Sequence, residues 1–296
     1  MISIVITAFK EPMVYKAIEA ILFQKIKEDY ELIVAAPDEK TKNVVEHYQK
    51  KYPQVRYFHD PGKGKSFALN LLFKELKGRI WIFTDGDVFL DNGSIDEIID
   101  AFKNEKVGCI CGRVICENPR YTLYGYWGKL LADVGAHKIR KELDKKNQFL
   151  ECSGYLFGFR NNGVIKEIPV DVAEDSIIPY YFWKKGYKIA YVPQARVFVK
   201  NPTNMKDWLK QRKRTADAHT KLTKYAPDFP KVKSFKNEAL KGFFWVWSYP
   251  KTFKEYFWTL ELIFVRLYMW LSLFYDLRFK KKEYVDGWER SESTKK

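Results

Sequence analysis

The sequence predicts an α/β fold, a mostly parallel sheet with helices on its faces, and three observations predict it. Short apolar runs rich in β-branched residues alternate with helical patterns through the first half of the 296 residues. Those runs are continuous rather than alternating, as strands covered on both faces require. After each early strand comes a polar segment, at the end where sheets of this kind bind ligands.

The elements follow in order. ISIVIT is the first strand, and PMVYKAIEAILFQ a helix with Pro12 in its first turn. ELIVAA, the polar helix TKNVVEHYQKKY and the strand VRYF come next, then the loop HDPGKGK, the helix SFALNLLFKEL closed by Gly78, and the strand RIWIFT. Residues 7–11, 36–39, 60–65 and 85–87 lie at the carboxyl ends of these strands, so four separated segments are expected to meet at one crevice.

The second half is less regular. DEIIDAF reads as a helix, VGCICGRVIC as a strand, YTLYGYWGKLLADVGAHKIRKEL as a long helix, and FLECSGYLFGFR as a strand or hairpin. VAEDSIIPYYFWKKG is a helix opened by acids and closed by Gly186, followed by the strand YKIAYVP. From Met205 to about Tyr225 the pattern is helical and basic.

Composition narrows the partners. The chain carries a formal charge of +15 with 17% aromatic residues, and from Lys200 onward 22 Lys or Arg face 11 Asp or Glu. A basic, aromatic carboxyl third suits nucleic acid, anionic lipid or a phosphorylated substrate. Cys109, Cys111, Cys116 and Cys152 form no CxxC pair and read as small buried residues in a reducing compartment. MISIVITAF enters a core strand without a basic leader, so a cytoplasmic location is expected.

The stretch IWIFTDGDVFLD holds the sharpest chemical signal. In an extended chain Asp85 and Asp87 project to the same side, and Gly86 lets the backbone turn closely around whatever they face. Two carboxylates so close repel each other unless a divalent cation supplies the missing charge. A solvated acidic turn has the same pattern.

The order of these features resembles family 2 glycosyltransferases, the inverting, nucleotide-sugar-dependent enzymes with the GT-A fold, from about Ile2 to His219. The likeness rests on SIVITAFKEP, the acid in AAPDEK, GKGKSFALN, the DGD after IWIFT, GYLFGFR, AEDS and QRKRT. It implies a GT-A catalytic domain over residues 1–225, with a nucleotide-binding half to about 105 and an acceptor half from 106, and a helical extension over 226–296. It also implies that Asp85 and Asp87 hold Mg²⁺ or Mn²⁺, a Lewis acid for the departing diphosphate. Thr7, Ala8 and Glu11 line the nucleoside pocket, Asp38 meets the base, and Asp85 with Gly86 lies against the donor. Lys63 and Lys65 flank Gly64 where a loop enters a helix, a place for an anion.

In the resemblance Asp175, preceded by Glu174, is the catalytic base, since inversion needs a carboxylate to take the acceptor proton. Gln211, Arg212 and Arg214 approach the diphosphate or the acceptor. Thr215 stands where the signature Gln-x-x-Arg-Trp has tryptophan, which argues against polymerisation. Arg160 is a weaker candidate.

Phe257–Phe279 is long enough for a spanning helix, but Glu261 and Arg266 make spanning costly. An interfacial position is expected instead, with Trp258, Phe264, Trp270 and Phe274 at the headgroups and Lys280–Lys282 against anionic lipid. The sequence thus predicts a metal-dependent hexosyltransferase, peripheral on the cytoplasmic membrane face, using a UDP or GDP sugar and a lipid-linked or glycan hydroxyl acceptor, with no nucleic-acid partner. Two rival readings are transfer to a polyprenyl phosphate and, from another class, a basic nucleic-acid-binding protein.

Overall fold

The structure, a computed structural model, describes residues 1–217, 221–230, 243–279 and 292–294. His219 and Lys280–Lys282 lie outside the described residues. The chain forms two compact units, the first Met1–Val114 with Lys141–Val199, the second Ile115–Arg140 with the chain from Lys200. The expected boundary near residue 225 falls inside the second unit.

One eight-stranded sheet organises the first unit, with strands β1 (Ile2–Thr7), β2 (Tyr30–Ala36), β3 (Val55–His59), β4 (Ile80–Asp85), β5 (Phe89–Leu90), β6 (Val107–Cys116), β7 (Leu156–Arg160) and β8 (Lys188–Val199). Their order across the sheet is β3-β2-β1-β4-β7-β6-β8-β5. The four strands from β3 to β4 are parallel, and β7 then runs antiparallel to both β4 and β6. The fold is therefore a mixed α/β arrangement, parallel from β3 to β4 as the alternating pattern predicted and antiparallel at β7. The two-residue strand β5, which pairs with β8, was too short to leave a period in the sequence.

Continuous apolar runs mean two buried faces, and β4 shows both. Ile80 and Ile82 join a cluster with Ile2, Ile4 and Ile6 of β1 and with Val14, Ile18 and Ile21 of helix α1 (Val14–Leu22). Trp81 and Phe83 point the other way into an aromatic stack with Phe73, Phe157 and Phe159, ring centroids 5.3–6.1 Å apart. Truncating a ring there, as in Phe83→Ala, is expected to cost about 3–5 kcal/mol. The four cysteines are buried and form no disulfide, as their spacing suggested.

Helices α2 (Glu39–Gln49), α3 (Lys65–Leu72), α4 (Ser94–Ala101) and α7 (Glu174–Lys184) also belong to the first unit. Two expected end signals are corrected. Pro12 lies in a turn two residues ahead of α1. Gly78 does not close α3, which stops at Leu72. It sits against the start of β1, where an added Cβ would lie 2.3 Å from the Ser3 nitrogen. The glycine answers to a close approach of two chains rather than to a helix end.

The second unit is helical. Helix α5 (Leu123–Leu130) passes through a π-helical stretch, Leu131–Lys138, into α6 (Ile139–Lys145), whose residues from Lys141 on belong to the first unit. The described residues of this unit also form α8 (Met205–Asp217), α9 (Leu222–Tyr225), α10 (Phe243–Trp247) and α11 (Phe253–Phe279). Its core gathers Tyr126, Trp127 and Leu130 of α5, Trp208 of α8 and Leu262 of α11. Arg120 locks onto Glu255 through two bonds of 2.7 and 2.9 Å and stacks 4.4 Å over the Tyr249 ring. Tyr126 and Thr259 share a 2.5 Å hydroxyl contact, and Trp127 Nε1 donates to the Trp258 carbonyl at 2.7 Å.

Candidate active site

The parallel register sets the site. Thr7 and Asp85 are cross-strand partners at the carboxyl ends of β1 and β4. The Thr7 hydroxyl donates to Asp85 Oδ1 at 2.8 Å, and the Gly86 N–H donates to the Thr7 carbonyl at 2.8 Å. A Cβ on Gly86 would come within 2.9 Å of the Ala8 Cβ. The residue between the two aspartates must therefore be small, because the loop after β4 lies directly on the loop after β1.

Lysine 65 opens α3 behind the loop Asp60–Gly64. Gly62 and Gly64 hold φ of +73° and +106°, and the buried Asp60 accepts from the Gly62 N–H at 2.8 Å. That loop shape requires the glycines. The Lys65 ammonium lies 2.8 Å from Asp85 Oδ1 and 2.8 Å from Glu174 Oε1, with all three side chains largely buried. Burial by itself would lower the Lys65 pKa, but the charges of Asp85 and Glu174 outweigh it and hold the pKa above the ordinary lysine value. The ammonium therefore stays charged throughout the neutral range.

Asp175 arrives beside them from α7. Its Oδ2 accepts from the Gly154 N–H at 2.9 Å, and its carbonyl accepts from the Cys152 N–H at 3.1 Å. Gly154 is the pivot of the cluster: a Cβ there would lie 3.3 Å from Glu174 Oε1, 3.7 Å from Lys65 Nζ and 3.8 Å from Asp175 Oδ2. The backbone approaches three charged groups at a point where a Cβ would press on the Glu174 carboxylate and touch the other two.

Thr7, Lys65, Asp85, Glu174 and Asp175 thus come together. The remaining expected residues are placed as follows. Asp38 caps α2, accepting from the Thr41 N–H at 3.0 Å and from the Lys10 N–H at 2.9 Å, where Lys10 has a φ of +48°. Its carboxylate fixes the loop after β1 as well as the helix. Glu11 is buried and accepts from the Met13 N–H at 2.9 Å. Lys63 is exposed, its ammonium 5.4 Å over the Phe67 ring. Asp87 is exposed at the loop tip.

Gln211, Arg212 and Arg214 belong to α8 in the second unit, where Arg212 reaches Asn201 Oδ1 at 3.3 Å and lies 5.7 Å over Trp208. Arg160 donates to the carbonyls of Val107 and Asn104, at 2.7 and 2.9 Å, and so binds backbone rather than a ligand. Sequence reasoning missed Gly154, although the glycine in ECSGY, directly ahead of an apolar strand, was a signal to follow.

The donor set suits a hard divalent cation. Thr7 and Lys65 both bind Oδ1 of Asp85, which leaves Oδ2 for a cation alongside the exposed Asp87. Among the described residues no three His, Cys, Asp or Glu side chains cluster as a complete metal cage. Two carboxylates with the remaining positions filled by diphosphate oxygens or water is the coordination expected for Mg²⁺ or Mn²⁺ at a phosphate.

Comparison with known proteins agrees with this geometry. Residues 3–162 match the model of the family described as glycosyl transferase family 2. A curated relative, the probable glycosyltransferase YdaM of Bacillus subtilis, is 24% identical over 93% of this chain and 67% of its own length. Among solved structures, the mannosyltransferase PcManGT of Pyrobaculum calidifontis, in complex with GDP-Man and Mn²⁺, superposes with a TM-score of 0.65. It shares 15% identity, covering 95% of this chain and 88% of that one. Residues 1–349 of TarS from S. aureus, in complex with UDP-GlcNAc, superpose at 0.51 with 13% identity, over 74% of this chain and 66% of that one.

Proposed function

Because the chain belongs to glycosyl transferase family 2, we propose that it moves a hexose from a nucleoside diphosphate sugar to an acceptor hydroxyl with inversion. The observation that carries this reading is the convergence of Asp85, Lys65, Glu174 and Asp175 around Gly154. Two solved proteins sharing the fold were captured with GDP-Man or UDP-GlcNAc, which supports that donor class. Asp85 and Asp87 would hold Mg²⁺ or Mn²⁺, which would supply a Lewis acid to neutralise charge on the leaving diphosphate.

The protein's own groups do the rest. Thr7 and Lys65 fix the Asp85 carboxylate, so it meets the donor already oriented. Asp175, oriented by the Gly154 N–H, takes the proton from the acceptor hydroxyl as its oxygen attacks. A thermal-shift panel of UDP-, GDP- and dTDP-sugars with and without Mn²⁺ tests the donor assignment. One donor should raise Tm only with the metal, and no metal-dependent shift with any of them would refute it.

The reading extends to a lipid-linked or glycan acceptor met at the cytoplasmic face of a membrane, with the enzyme peripheral. Helix α11 supports this. Phe257, Leu260, Phe264, Leu267, Leu271 and Phe274 recur at alternating steps of three and four, and are 40–73% exposed. The opposite face, with Thr259, Leu262, Met269 and Leu273, is buried. The stretch Phe253–Asp276 is long and apolar enough to cross a bilayer, with a mean hydropathy of 1.4. With one face already packed on protein, lying in the interface suits it better than spanning. Of the expected headgroup residues, Phe264 and Phe274 are exposed, whereas Trp258 and Trp270 are half-buried. Flotation with anionic liposomes tests the location. Failure to float, with concentration-dependent dimerisation in sedimentation, would assign this face to a second copy instead.

A further inference from the structure

The segment that delivers Asp175 has no regular structure of its own. Between Ile165 and Val172 the chain is neither helix nor strand, so no ladder of backbone bonds holds it. One face of α3 does. The Asn70 side-chain amide donates to the Ile168 carbonyl at 2.7 Å and accepts from the Ile168 N–H at 2.8 Å, pairing with that peptide as a neighbouring strand would. One turn earlier, the Ser66 hydroxyl donates to the Val172 carbonyl at 3.1 Å. Ser66 and Asn70 stand four residues apart, on the same side of the helix. Next to Ser66, Lys65 meets Glu174. The contacts run in opposite senses along the two chains: 70 with 168, 66 with 172, 65 with 174. Ser66, Asn70, Ile168 and Val172 are all buried.

We infer that Ser66 and Asn70 are positioning residues, through which α3 fixes the segment Ile168–Asp175 and so sets the base in register with the donor edge. The inference rests on the assignment of Asp175 as the base. Its physical content is that one short helix serves both ends of the reaction. The amino end of α3 continues the Gly62–Gly64 loop and carries Lys65 to Asp85, while its buried face holds the segment that leads to Asp175. Neither Ser66 nor Asn70 touches the reacting atoms. A loosened segment leaves the donor edge intact and misplaces the carboxylate, and misplacement by about 1 Å lowers turnover by about 100-fold.

The test uses the full chain and the variants Asn70→Ala, Asn70→Asp and Ser66→Ala. Hydrogen exchange, measured without donor or metal, should quicken in peptides covering residues 165–175 of Asn70→Ala and stay unchanged in those covering β1 and β4. In turnover, kcat should fall by about 10- to 100-fold while the donor KM moves less than about threefold. Asn70→Asp, which keeps the bond from the Ile168 N–H but sets a buried carboxylate against the Ile168 carbonyl, should fall at least as far as Asn70→Ala. Should Asn70→Ala not fold, Ser66→Ala is read in the same way. Unchanged exchange at 165–175, or acceleration spread evenly over the chain, overturns the clamp. Quickened exchange with parental kcat overturns its catalytic part. An active Asp175→Asn in the same series would trace that failure to the base assignment rather than to α3.

Discussion

At the carboxyl edge of β1 and β4 the groups are charged yet largely buried: Lys65 lies 2.8 Å from both Asp85 and Glu174. Along α11 in the second unit the exposed groups are apolar, with Phe257 73% and Phe274 65% accessible. Ordinary folding chemistry disfavours both arrangements, since burying charge costs desolvation and exposing rings forfeits burial. The difference lies in what offsets the cost. In the first region every charge found a partner inside the same unit, so the strain is settled within the fold and the site is preorganised. In the second, no described residue covers the rings, and this is the face proposed above to lie at a membrane interface.

Substitutions can break this comparison at either end. The largest expected effect is Asp175→Asn, which should lower transfer to a hydroxyl by about 10³-fold without moving donor binding. Near-parental turnover, measured with purified acceptor, would favour a phosphate acceptor that arrives already ionised. Next, Lys65→Met strands two carboxylates in a largely buried site, and chemical denaturation should show a loss of about 3 kcal/mol. A change below about 1 kcal/mol would mean that the charges are not settled within the fold. At the other end, Phe264→Glu with Leu271→Glu should weaken liposome binding by at least about tenfold. Stability should change little, because neither side chain is part of the core.

The smallest effect sharpens the contrast by testing a charge pair inside the second unit. The bond from Arg120 holds the Glu255 carboxyl below its usual range, despite the opposing effect of burial. A carboxylate depressed on folding stabilises at pH above its unfolded pKa, and that contribution fades as pH falls through the folded value. Glu255→Gln should therefore cost about 1–2 kcal/mol at pH 7 in urea denaturation, and the gap to the parent should narrow as the pH drops below about 4.

Much of the first unit was legible in the order of its residues. The runs ISIVIT, ELIVAA, VRYF and IWIFT, the polar segments at their ends and the order of the motifs led to the sheet and to most of the residues at its edge. Less legible were features defined by what lies across space. GKGK reads as a loop for an anion, yet Lys65 is engaged by Asp85, 20 residues on, and by Glu174, more than 100 residues on. Gly78 reads as a helix end and is in fact a gap for β1. The sequence reading set Trp258 and Trp270 beside Phe264 and Phe274 at the headgroups, and only packing against Trp127 and Trp208 divides α11 into a buried and an exposed face.

The sequence by itself determined most of the strands and helices, the parallel half of the sheet and the family, because period and motif order are written along the chain. The tertiary structure decided which charges neutralise one another around Gly154, which helix holds the segment carrying Asp175 and which face of α11 is left open. Those depend on distances between residues far apart in the chain, and no local pattern encodes a distance.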